Sequence, residues 1–209
     1  MKQILKKLLH NNPKFYRFIQ KSYYLLYKRH FYGITSPFRV LPDFIVIGVV
    51  RGGTTSLYEN LSKHPCIYRS AYDELGFFDN NFHLGVNWYR SLFPTILQKK
   101  ISIIKNGFFM TYDVTPFYIW NPPAAKRISK LLPNAKIIAL LRNPVDRAYS
   151  NYQLGVQEGN ETLTFEDAVK EEIRTFDKKN SEDNISKYTV PRSYISKGMY
   201  VDQLGPWLD

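Results

Sequence analysis

Cysteine is nearly missing from this chain. Cys66 stands alone among 209 residues, so no disulfide can form within the chain, and a reducing compartment is the expected setting. Histidine is almost as scarce: His10, His30, His64 and His83 are scattered without ligand spacing, and no metal site is expected. No apolar run approaches the roughly 20 residues that a membrane-spanning helix needs. The longest, Phe44 to Val50, has the length of a strand. Leu8 and Leu9 lead at once into His10, Asn11, Asn12 and Pro13, which is not the pattern of a secretory leader. The location these absences favour is cytoplasmic, with peripheral attachment to a membrane surface left open.

Acidic residues are the most informative absence. Positions 1–42 contain none, yet carry nine Lys and Arg, while positions 43–209 balance 20 cations against 18 acids. The net charge of +11 therefore belongs mainly to a basic, aromatic-rich N-terminal extension over 1–42, and the main domain is expected over 43–209. Phe15, Phe18, Ile19, Tyr23 and Leu26 recur at near-helical spacing in that extension. A helix packed on the domain with solvated lysines fits this pattern, and so does attachment to an anionic membrane surface. Nucleic acid is not an expected partner, because the charge lies outside the α/β core.

The domain itself has ordinary globular composition, 44% hydrophobic and 22% charged, with a high aromatic share of 16%. Phe44-Ile45-Val46-Ile47 reads as a buried strand, and Thr54 to Lys63 as a helix ended by His64-Pro65. Cys66 to Tyr68 is a short second strand. A helix is expected over Val86 to Phe93, with a basic break at Lys99-Lys100, and Gly107 to Tyr112 reads as a strand. Pro122 opens a helix through Leu132, Lys136 to Leu141 is the clearest strand, and Asn143-Pro144 opens a helix to about Gln157. Thr164 is an N-cap for a helix to about Phe176, residues 177–192 read as a polar loop, and Tyr200 to Leu208 as a last helix. Strands alternating with helices predict an α/β fold of three layers, a central parallel sheet flanked by helices.

Two segments carry chemistry. Gly48-Val49-Val50-Arg51-Gly52-Gly53-Thr54-Thr55-Ser56 lies between a strand and a helix with the G-x-x-x-x-G spacing of a phosphate loop. Small residues let backbone N–H groups approach an anion, and the helix N-terminus adds about half a positive charge. Thr54 stands where a nucleotidase places lysine, and a cation appears instead at Arg51, so one compact phosphate or sulfate group suits the loop better than a triphosphate with Mg²⁺. A glycine turn with no ligand is the plain alternative. The second segment is Arg142-Asn143-Pro144 to Ser150, at the carboxyl end of the next strong strand, where ligands bind in open parallel sheets. Arg142 with Ser150 makes a second anion site, separate from the first; a capping or salt-bridging role for Arg142 is the alternative. Arg147 reads as a surface residue or a structural partner of an acid.

Together these segments resemble the 3′-phosphoadenosine-5′-phosphosulfate (PAPS)-dependent sulfotransferases, particularly the heparan-sulfate-type branch and its microbial relatives. FIVIGVVRGGTTSLYENLSKHP is similar to that family's 5′-phosphosulfate loop, and LRNPVDRAYSNY to its 3′-phosphate motif. DELGFFDNNFHLGVNWYRSLFP resembles the segment with the acceptor-activating acid, and DVTPFYI a further core segment. The resemblance runs from about Asp43 to Leu208. It implies a P-loop-like fold, PAPS as co-substrate with no metal, and a carbohydrate-like acceptor offering a hydroxyl or amine. It also implies that Arg51, Gly52, Gly53, Thr54, Thr55 and Ser56 hold the 5′-phosphosulfate, that Arg142 and Ser150 hold the 3′-phosphate, and that Glu74 is the base.

Three departures stand out. Arg51 replaces the family's loop lysine; arginine keeps the charge but cannot donate a proton near neutral pH. Asp73 and Gly76 stand where lysine and often histidine are found. The family's last strands and basic glycine loop would follow Leu208, so the domain is expected to be incomplete at Asp209. A nucleotide-binding module without turnover and a P-loop kinase are the rival readings. His64 reads as structural, His83 as a neutral loop residue, Phe77, Phe78 and Trp88 as core, and Tyr118 as either core or cleft lining.

Overall fold

The structure, a computed structural model, describes residues 33–179 and 193–208. Its centre is β1 (Phe44–Gly48), whose five residues are all buried because strands cover both its edges and helical layers both its faces. The other strands are β2 (Ile67–Arg69), β3 (Met110–Val114) and β4 (Lys136–Ala139), and the order across the sheet is β2-β3-β1-β4. Every pairing is parallel, with Phe44 opposite both Tyr112 and Lys136. The predicted three-layer α/β architecture is what is found.

Alternation along β1 sorts the core into two halves. Ile45 and Ile47 face a cluster with Leu75, Phe77, Phe78, Tyr89, Phe93 and Tyr118. Phe44 and Val46 face the other way, towards Tyr58, Tyr112 and Val114. On that second face α1 (Thr54–Leu61) is clamped to the sheet: the Tyr112 hydroxyl donates to the Tyr58 carbonyl at 2.8 Å, and the two rings meet edge to face.

The remaining helices are α2 (Gly85–Arg90), α3 (Ile96–Asn106), α4 (Pro122–Leu131), α5 (Pro144–Gln157), α6 (Phe165–Lys179) and α7 (Tyr200–Leu208). Helix α3 overturns the expected break at Lys99-Lys100. Both lysines are helix formers that reach solvent, and Thr95 with Gln98 completes a capping box, with the Thr95 side chain on the Gln98 N–H and the Gln98 side chain on the Thr95 N–H. That T-x-x-Q signal is present in the sequence. Gly107 then ends α3 in the left-handed region, which delays β3 to Met110. Helix α1 stops at Leu61, β2 is one residue later than expected, and α6 continues past Phe176 to Lys179. The rest of the expected polar loop, 180–192, and residues 1–32 of the N-terminal extension lie outside the described residues. Within the extension's described end, Ser36–Phe38 forms one turn of 3₁₀ helix and Arg39 bridges to Thr95.

A buried carboxylate ties the end of the described chain to α6. Glu172 accepts from the backbone N–H groups of Tyr194, Ile195 and Ser196 at 2.5, 2.8 and 2.9 Å, and from the Ser196 hydroxyl at 2.8 Å. Replacing it with alanine leaves two buried N–H groups, of Tyr194 and Ser196, and the part-buried one of Ile195 without this acceptor. We expect Glu172→Ala to cost about 3 kcal/mol in denaturant unfolding, with hydrogen exchange rising first at 194–196.

Candidate functional site

The strand order puts β3 and β4 on opposite sides of β1, so the chain leaves the carboxyl ends of these strands in different directions and opens a crevice there. Loops from all three strands meet at that edge. The loop after β1 is laid directly against the end of β4: Val49 donates to the Leu140 carbonyl at 2.8 Å, and Leu140 to the Gly48 carbonyl at 2.7 Å. Gly52 belongs to this contact, since a Cβ there would lie 2.8 Å from the Leu140 oxygen and 2.9 Å from the Val49 oxygen. Gly53, at φ +94°, takes the left-handed conformation that turns the chain into α1. Thr54, Thr55 and Ser56 form the first turn of that helix, whose leading N–H groups have no acceptor within the helix. Thr54 is buried, and the other two are exposed.

Arg51 joins the two predicted anion sites. Its Nε donates to the Ser150 Oγ at 3.0 Å, and its carbonyl accepts from the Arg142 Nη1 at 3.1 Å. Ser150 reaches this point from the second turn of α5, which Asn143 caps by accepting from the Val145 N–H at 2.9 Å. Tyr200 holds the other side of the junction, donating its hydroxyl to the Arg142 carbonyl at 2.8 Å. The sequence reading kept the two cradles apart; tertiary structure brings them into hydrogen-bond contact through the guanidinium groups of Arg51 and Arg142.

Glu74 belongs to the same edge by a different route. Its backbone N–H donates to the Val114 carbonyl at 2.9 Å, which fastens the residue to the end of β3. The carboxylate is exposed and has no hydrogen bond to the described residues, yet its pKa is raised, first by the protein that surrounds it and then by the neighbouring Asp73 charge. Among the described residues, Arg51 (φ +66°) and Glu74 (φ +52°) alone have positive φ without being glycine.

Other expectations divide. His64 is structural, its Nδ1 accepting from the Cys66 N–H at 3.2 Å, and Phe77, Phe78 and Trp88 are in the core. Arg147 is not on the surface but fully buried, and its Nη2 donates to the Tyr194 carbonyl. Burial pulls its pKa below the usual arginine value, while Tyr200 and Glu172 oppose that shift. Tyr118 does not line a cleft: it is fully buried. Its hydroxyl donates to Asp113, a residue the sequence reading passed over. Asp113 has no solvent exposure, and burial pushes its pKa up to about 6 against the hydrogen bonds it accepts from Thr115, Tyr89 and Tyr118. The available signal was an acid directly after the strand expected to end at Tyr112, at the head of DVTPFYI; the structure carries the strand on to Val114 and so encloses it.

Gly52→Ala tests the loop geometry. The added methyl must push on two backbone oxygens, so we expect about 1–3 kcal/mol of destabilisation in thermal unfolding, together with weakened binding of a phosphate-bearing nucleotide in calorimetry.

Comparison with known proteins adds three findings. A family model described as "Sulfotransferase domain" matches residues 41–209. The chain is 39% identical over 117 residues to the membrane-associated sulfotransferase kil1 of Dictyostelium discoideum, covering 56% of this chain and 24% of that protein. It is 34% identical over 168 residues to heparan sulfate glucosamine 3-O-sulfotransferase 3A1 of Mus musculus, covering 80% of this chain and 38% of the relative. The chain thus spans well under half the length of either. Among solved structures, a sulfotransferase from Alicyclobacillus acidocaldarius superposes with a TM-score of 0.59 at 29% identity, covering 81% of this chain and 69% of that one.

Proposed function

Because the chain belongs to the sulfotransferase-domain family, we propose that it moves a sulfuryl group from PAPS to a hydroxyl or amine of a carbohydrate-like acceptor. One observation carries the roles assigned here. Among the described residues, the two non-glycine residues in the left-handed region are the two that the reaction asks for, a cation for the leaving phosphate and a carboxylate for the acceptor proton. Such conformations cost free energy and cluster where function requires them. The names of the relatives, which include a heparan sulfate 3-O-sulfotransferase, support a carbohydrate acceptor.

In this reading Arg51, Gly52, Gly53, Thr54, Thr55 and Ser56 hold the 5′-phosphosulfate, with the backbone amides of the loop and the start of α1 facing its oxygens. Arg142 and Ser150 hold the 3′-phosphate. The chemical fit is good: the Arg51 guanidinium already meets the Ser150 hydroxyl, the Arg142 guanidinium is held on the Arg51 carbonyl, and Arg51 exchanges its Ser150 contact for phosphate oxygens when they arrive. PAPS supplies a sulfuryl group on a good leaving phosphate. Glu74 removes the acceptor proton as the acceptor atom bonds to sulfur, the sulfur–phosphate oxygen bond breaks, and 3′-phosphoadenosine-5′-phosphate departs with the electron pair. Arg51 and the loop amides stabilise the charge that grows on that phosphate. Arg51 does this electrostatically and donates no proton.

Glu74→Gln separates catalysis from binding. We expect kcat with a heparan sulfate oligosaccharide to fall by about 100-fold or more, while titrated 3′-phosphoadenosine-5′-phosphate binds as before. In the parent protein the acid limb of kcat/KM lies above the ordinary glutamate value of 4.5, because the base works only when ionised and its surroundings hold the proton more tightly. Parental turnover by Glu74→Gln would overturn the assignment. Binding with no transfer by the parent would favour the module without turnover, and transfer from ATP the kinase.

We further place peripheral membrane contact on the basic extension and the face beside it. Among the described residues no helix is long and apolar enough to cross a membrane. The Arg39–Thr95 bridge sets the end of the extension next to α3, whose Leu97, Ile101 and Ile104 form one outward stripe, with Ile104 83% exposed. Lys100 and Lys105 flank the stripe, and α3 contains no acid. Sedimentation with phosphatidylserine vesicles should retain the chain at low salt and release it at high salt, and Ile104→Glu should weaken retention. Equal binding to neutral vesicles would refute the electrostatic part.

A further inference from the structure

Asp113 is a carboxylate with no exposure, placed one residue before the end of β3 and paired in register with Ile45 of the central strand. Burying a charge there is costly unless every lone pair is used. Thr115 donates its hydroxyl to Oδ1 at 2.8 Å, and Tyr89 and Tyr118 donate theirs to Oδ2 at 2.9 and 3.1 Å.

Two of these three hydroxyls also face the segment that carries Glu74. The Tyr118 oxygen accepts from the Phe77 N–H at 2.8 Å and the Phe78 N–H at 3.3 Å, and the Thr115 oxygen accepts from the Gly76 N–H at 3.4 Å. A hydroxyl has one proton, so donation to Asp113 fixes its direction and leaves its lone pairs for the amides. Three successive N–H groups, beginning two residues after Glu74, thus hang on one carboxylate through two relays. On the near side, the Glu74 N–H is held by the Val114 carbonyl, the next residue along β3 from Asp113. The turn is gripped at both ends by the same stretch of strand, and between the grips sits Glu74 at φ +52°.

We propose that Asp113 is a positioning residue for the transfer reaction: through Thr115 and Tyr118 it maintains the left-handed turn that aims the Glu74 carboxylate into the crevice. The proposal rests on Glu74 being the base. Tyr89 provides an internal reference, because it gives the same carboxylate a hydroxyl but makes no hydrogen bond to the turn; its ring stacks on Phe77 at 4.3 Å, a contact that phenylalanine preserves.

The experiment compares Tyr118→Phe with Tyr89→Phe in the full chain, avoiding the risk that Asp113→Ala fails to fold. Each loses one hydroxyl on Asp113, and thermal unfolding measures the structural loss. We expect kcat with the heparan sulfate oligosaccharide to fall about ten-fold further in Tyr118→Phe than in Tyr89→Phe, as misplacement of a catalytic group does. The dissociation constant for 3′-phosphoadenosine-5′-phosphate should stay within about two-fold of the parent in both, since the relay touches no nucleotide group. In a Glu74→Gln background, Tyr118→Phe should change the residual rate by less than about two-fold, because there is no base left to aim. Equal kcat losses in the two Phe variants, or an unchanged multiplicative loss on top of Glu74→Gln, would overturn the relay while leaving Glu74 as base. Parental turnover by Glu74→Gln alone would instead remove the base, and the positioning role with it.

Discussion

A five-residue strand buried on every side sets the position of each group discussed above. Because β1 pairs in parallel with β3 on one edge and β4 on the other, the carboxyl ends of all three strands fall on one side of the sheet. Parallel pairing leaves no choice in this: every connection must return to the opposite end through a helix before the next strand begins. The glycine loop, Glu74 and Arg142 are therefore delivered to one crevice from positions 48–53, 74 and 142, although nothing local connects them. Apolar burial supplies the driving force for that arrangement, and the site stands on it.

Polar groups then refine what the strands place. Asp113, Glu172 and Arg147 are each buried: Glu172 accepts from backbone N–H groups, Asp113 from hydroxyls of which two reach backbone N–H groups, and Arg147 gives one nitrogen to a backbone carbonyl. Such residues are poor contributors to stability compared with apolar packing of similar volume, since each must be desolvated first. Their common effect is to hold short irregular segments that have no ladder of their own: 74–78 beside the crevice and 194–196 beneath α7. Irregular backbone has N–H groups that must find acceptors, and a buried side chain provides several at one point.

The parallel α/β class and the family were legible in the residues themselves, as was the tight glycine turn between β1 and α1. Those signals are local: a β-branched run, glycines followed by hydroxyl residues, an Arg at a strand tip. Family membership carries the sulfotransferase reading, while the proposed roles of Glu74, Arg51 and the other loop residues come from the family resemblance, which the placement of these residues supports. Helix α3 departs from the expected break because Lys99 and Lys100 are ordinary helix formers on a solvent-facing helix. Arg147, expected at the surface or beside an acid, and Tyr118, expected in the core or lining a cleft, each have two sequence readings for one reason: the burial of a polar side chain depends on neighbours from distant segments, Tyr194 in one case and Phe77 and Phe78 in the other.

By itself, then, the order of residues determined which segments become strands and helices and which small residues let a loop close tightly, because propensity, periodicity and steric demand act over a few positions. Tertiary structure alone decided that Arg51 spans from the glycine loop to Ser150, 99 positions away in the chain, and that an enclosed acid lies behind Glu74. Those outcomes depend on how strands are ordered across the sheet and on which polar groups share one low-dielectric interior. Neither is written in any local stretch of chain.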